Sequence, residues 1–108
     1  MTLFSCSSKL SQDEMVSLLN MHLNVEIPSD FEVLENGIST AIGDHIITFK
    51  LKFNPEVFNM VLFDSKKKNY YEVFNSVYQF SKSMDDNETI NILFDTLKYE
   101  VKYTYAEL

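Results

Sequence analysis

The sequence predicts an α+β domain: an antiparallel sheet of about five strands with two helices packed on one face, in the order α-β-β-α-β-β-β. Three observations carry this prediction. A helical apolar stripe follows a full start signal near residue 11, a strict alternation of apolar and polar residues runs through 46–53, and three short alternating segments close the chain. Helices and hairpins bury their apolar sides most economically when both helices lie on one sheet face. The 108 residues, 45% apolar with two Gly and two Pro, suffice for one core and are too few for two domains. Residues 1–10 are read as an N-terminal tether and 11–108 as the single domain.

Ser11-Gln12-Asp13-Glu14 is a capping-box pattern, with Leu10 and Met15 at the staple positions. Met15, Leu18, Leu19 and His22 then recur at helical spacing, which predicts a helix over 12–24, closed before Pro28. From Phe31 the period shifts toward two, with Phe31, Val33 and Glu35 on one side and Glu32 and Leu34 on the other. In the second strand Ile47, Phe49, Leu51 and Phe53 alternate with Thr48, Lys50 and Lys52, as in a sheet with one wet face. The two strands are expected to pair antiparallel. Asn36-Gly37 and Gly43-Asp44 both offer reversals, and 37–44 is read as one connecting loop because strong alternation resumes only after Asp44.

Asn54-Pro55-Glu56 places a capping side chain before a first-turn Pro, so a second helix is expected over 55–63. Lys66, Lys67 and Lys68 follow where a helix end leaves carbonyls unpaired, which is a solvating role. Residues 69–75 fit a helical turn nearly as well as a strand, and that choice stays open. Strands are expected over 77–82, 89–94 and 98–105, with a turn at Asp85-Asp86-Asn87.

The chemistry visible in the residues is mostly excluding. Nine basic residues against sixteen acidic ones give a net charge of -7, which repels a phosphate backbone, so nucleic acid is not an expected partner. His22 and His45 are 23 residues apart and no second Cys is present, so neither a metal site nor a cofactor is expected. His22 reads as a cation at the helix end or a partly buried ring, and His45 as a strand-edge residue. Asp85-Asp86-Asn87-Glu88 lacks the Gly and the distal Glu of a calcium loop. No Ser stands in a nucleophile elbow and no Gly-rich run could cradle phosphate, so no catalytic residue is assigned and the chain is not expected to be an enzyme. Six Tyr stand beside nine Phe. Packing on the sheet face is the plainer reading of these Tyr, but phenols at a surface often mark recognition patches, which makes Tyr70, Tyr71, Tyr99, Tyr103 and Tyr105 the candidate partner-binding residues.

Leu3-Phe4-Ser5-Cys6 resembles a bacterial lipobox, with Leu three residues before the Cys and a small residue just before it; Phe4 is larger than usual. A polar tether after Cys6, then Pro28-Ser29-Asp30-Phe31, Ile42-Gly43-Asp44 before a strand, and a meander from Tyr78-Gln79-Phe80 extend the resemblance to small bacterial envelope lipoproteins of unassigned role. The resemblance implies a lipid on Cys6, a place in the cell envelope, and membrane contact only through that lipid. It implies no catalytic residue.

The leading expectation is therefore a non-catalytic envelope lipoprotein domain serving as a structural or protein-interaction module, its protein partner unknown. Only five residues precede Cys6, fewer than the apolar stretch of about 7–15 in an export signal. With Met1 as the true start, the expectation becomes a cytoplasmic, acidic inhibitor or immunity-type protein. A third possibility is a small-ligand carrier or enzyme with a pocket between helix and sheet.

Overall fold

A computed structural model of the chain describes residues 9–41 and 44–107. Helix α1 (Gln12–Leu23) starts as its sequence dictates. The Ser11 hydroxyl accepts from the Glu14 N–H at 3.1 Å and the Glu14 carboxylate accepts from the Ser11 N–H at 2.8 Å. It ends at Asn24, whose left-handed backbone (φ 57°) suits a residue with a short polar side chain. Asn20 then accepts from the Ile27 N–H at 3.0 Å, turning the chain back toward the sheet. Upstream, the Leu10 N–H and C=O both bond the Asn36 side chain, at 2.9 and 2.7 Å. The start of α1 is thereby fixed beside the first strand.

Strands β1 (Glu32–Ala41) and β2 (Asp44–Lys52) form an antiparallel hairpin. The expected loop over 37–44 is overturned: Gly37 pairs with Thr48, Ile38 with Ile47 and Ala41 with Asp44, so the ladder continues to either side of residues 42–43. The period failed because an irregularity between Val33 and Glu35 shifts the register. It also corrects the expected facing of β1. Val33 stays opposite buried Leu51, whereas Glu35 lies opposite Lys50 and bonds it at 3.1 Å.

Helix α2 (Pro55–Lys66) is capped by Asn54, which accepts from the Val57 N–H at 2.9 Å, and runs one turn further than expected. Its C-terminal lysines do more than solvate. Lys68 donates to the Asn24 carbonyl at 2.9 Å, and Asn69 donates to the Leu23 carbonyl at 2.7 Å, tying the two helix ends together.

The open choice over 69–75 resolves into a three-residue strand, β3 (Glu72–Phe74), which makes the sheet six-stranded rather than about five. Asn75, at φ 56°, supplies the reversal into β4 (Val77–Asp85). Strands β5 (Glu88–Asp95) and β6 (Glu100–Glu107) complete an all-antiparallel sheet of order β1-β2-β6-β5-β4-β3. The last strand thus sits near the middle, between β2 and β5.

Phe49, Leu51, Ile90, Ile92, Phe94, Val101 and Tyr103 are buried on the sheet, and Met15, Leu19, Leu23, Phe58 and Val61 are buried on the helices. Phe49 stacks on Tyr103 at 4.7 Å, while Phe58 meets Phe94 and Tyr99 edge-on at 5.8 and 5.6 Å. The other sheet face carries Lys50, Lys102, Glu35 and Glu100, whose charges pair with one another. Alternation along β2 and β6 therefore separates a dry face from a salt-bridged one.

A candidate binding cleft between helix α1 and the sheet

Toward the β1–β2 hairpin end of the sheet, burial falls from Phe49 on β2 and Tyr103 on β6 to the half-buried Ile47 and Tyr105. Three adjacent positions there line up across the strands: His45 is opposite Glu107, and Glu107 is opposite Glu88. With Leu18, Met21 and His22 from α1 and Met84 from β4, they border a cleft of about 520 Å³ whose apolar wall includes Ile47 and Ile90. Leu18 and Ile47 are shared with an adjoining groove of about 440 Å³, lined further by Leu10, Asp13, Glu14 and Ser17. The two form one open trough along α1.

The electrostatics of the trough are one-sided. Asp13, Glu14, Glu88 and Glu107 line it, and among the described residues no Lys does. Among the described residues no ion pair joins Glu88 or Glu107 to a cation. The Tyr105 hydroxyl donates to the Glu88 carboxylate, and this bond, with burial and the nearby Glu107 charge, pushes the phenol up to about 12. Tyr105 is therefore a fixed donor at neutral pH. Burial, with a smaller contribution from Lys82, holds the His22 imidazole below its ordinary value, so of the two expected roles, helix-end cation or buried ring, the structure shows the buried ring. Among the described residues its Nδ1 has no hydrogen-bond partner, and the ring packs 6.0 Å from Tyr103. His45 lies edge-on to Tyr105 at 6.1 Å.

No family model, curated protein or solved structure matches this chain. The trough must be read from its own chemistry. No group of three or more His, Cys, Asp or Glu that could hold a metal ion occurs among the described residues. The trough offers an apolar floor with acceptors along its rim, an arrangement suited to binding. The depression of about 150 Å³ on the opposite face, lined by Lys50, Lys98, Lys102, Asp95 and Glu100, is smaller, and Lys50 there already lies near Glu100.

The candidate tyrosines do not share one exposed surface. Tyr103 is buried under α1, Tyr99 and Tyr105 are half-buried against the core, and Tyr71 packs on Phe80 and Phe94 while its hydroxyl bonds Ser65. Tyr70 alone is well exposed, at 82%. Only Tyr103 and Tyr105 reach the trough. Cys6 and the lipobox-like residues lie outside the described residues, and no described helix is long and apolar enough to cross a membrane. The sequence did not point to Glu88, Glu107, Met21 or Met84. The parity shared by His45 with Ile47, and by Glu107 with Tyr103, was available, but bringing them together required the pairing of β2 and β5 on β6.

Proposed function

We propose that this chain is a non-catalytic interaction domain that receives part of a protein partner in the trough beside α1, and that Cys6 carries the lipid that holds it in a bacterial cell envelope. The observation that supports the first half is the trough itself: apolar at Leu18, Ile47 and Ile90, open along its length, and rimmed by acceptors. The lipobox-like Leu3-Phe4-Ser5-Cys6 supports the second. A diacylglyceryl group places two or more acyl chains at the anchor, enough for stable membrane retention, whereas one chain holds only marginally.

Peptides selected from a random library on the immobilised domain test the binding claim. They are expected to lose binding to Leu18→Arg and to keep it with Lys102→Ala on the opposite face. Peptides indifferent to Leu18→Arg would place the site elsewhere. Anchoring is tested separately, by expressing the gene with its native upstream region. Palmitate label should enter the wild-type chain and be absent from Cys6→Ala; label retained in that variant removes the anchor.

A further inference from the structure

We infer that the occupant of the trough is a short basic segment of a partner protein, in which lysine or arginine alternates with apolar residues. This rests on the trough being the binding site and names the chemistry that fills it. Charge complementarity over an apolar floor carries the inference. Asp13 and Glu14 at one end and Glu88 and Glu107 at the other flank an apolar floor that no Lys among the described residues lines. Glu88 and Glu107 sit directly opposite each other on neighbouring strands, a like-charge pair that costs stability and that an incoming cation relieves. Tyr105 takes one lone pair of Glu88, leaving the rest of both carboxylates free among the described residues.

The floor between the two acidic ends is apolar, with Leu18, Ile47 and Ile90 available to the aliphatic and aromatic side chains of the same segment. The openness of the trough along α1 suits an extended chain better than a single compact molecule, and the net charge of -7 favours rapid capture of a basic one.

The probe is an amidated hexapeptide alternating lysine with leucine and phenylalanine, beside two controls in which lysine is replaced by glutamine or by glutamate. Amide chemical-shift mapping locates each, and titration gives its affinity. The lysine peptide should shift the signals of Leu18, Ile47 and Tyr105 and bind about tenfold or more tightly than the glutamine peptide at low ionic strength, with the glutamate peptide silent. The double variant Glu88→Gln, Glu107→Gln should lose that advantage, the lysine and glutamine peptides then binding it alike. If the glutamine peptide occupies the trough as tightly as the lysine peptide, the basic occupant is overturned and the trough stands. If the lysine peptide shifts only scattered surface carboxylates and no peptide reaches the trough, both are overturned.

Discussion

Glu88 and Glu107 face each other across the β5–β6 ladder, both bordering the cleft beside α1 and neither paired with a cation among the described residues. A sheet pays for such a pair in stability. Glu107→Gln should therefore raise the denaturation midpoint while weakening any basic ligand. A midpoint that falls would mean that Glu107 supports the fold rather than a partner.

Leu51 and Lys50 are neighbours on β2 that point to opposite faces. Leu51 is fully buried, so Leu51→Ala should cost about 2–5 kcal/mol, a large share of a small domain's stability. Lys50 lies on the wet face, bonded to Glu35, and Lys50→Ala should leave a denaturant melt nearly unchanged. Equal losses would contradict the register of β2.

This contrast marks what the sequence made legible. Strict alternation over Ile47–Phe53 and the capping residues Ser11 and Asn54 are local signals, and they located β2 and both helix starts. The antiparallel pairing of β1 with β2 was legible as well, but the facing of β1 was obscured because an irregularity beside Leu34 reverses Glu35, which no period-two reading anticipates. Strand β3 was hidden by its three-residue length and by a fold-back made at Asn75. The trough was least legible of all. His22, His45, Glu88 and Glu107 meet only because β6 inserts between β2 and β5, and residues this far apart in the chain carry no shared pattern.

His22 gives stability a dependence on mildly acidic pH. Its folded value lies below the 6.5 of the unfolded chain, so below about 6.5 the unfolded state takes up a proton that the folded ring refuses. Stability contributed by the neutral ring is full above that pH and declines as pH falls toward the depressed folded value. His22→Phe should flatten this part of the profile in melts recorded across the range. An unchanged slope would show that the ring is not buried as a neutral group.

At the alkaline end the sign reverses. Burial raises Tyr103 to about 12, and the bond to Glu88 is the largest cause of the same rise at Tyr105. Between the ordinary phenol value of 10.0 and about 12 the unfolded chain has lost protons that the folded chain keeps. Stability should fall through this window. Phenolate absorbance should include a late component that moves earlier in Glu107→Gln, since the Glu107 charge contributes to the shift at Tyr105.

The most direct measurement uses methionines as reporters of place. Met21 and Met84 border the cleft at 62% and 48% exposure, while Met60, at 50%, lies on α2 and does not line it. The lysine hexapeptide carrying a benzophenone group, which inserts preferentially at methionine, is photolysed with the domain and the adducts are located by mass spectrometry. Adducts at Met21 and Met84, competed by unlabelled peptide and absent at Met60, are the expected result. Adducts distributed equally over the three methionines, or concentrated at Met60, would contradict the trough as the binding site.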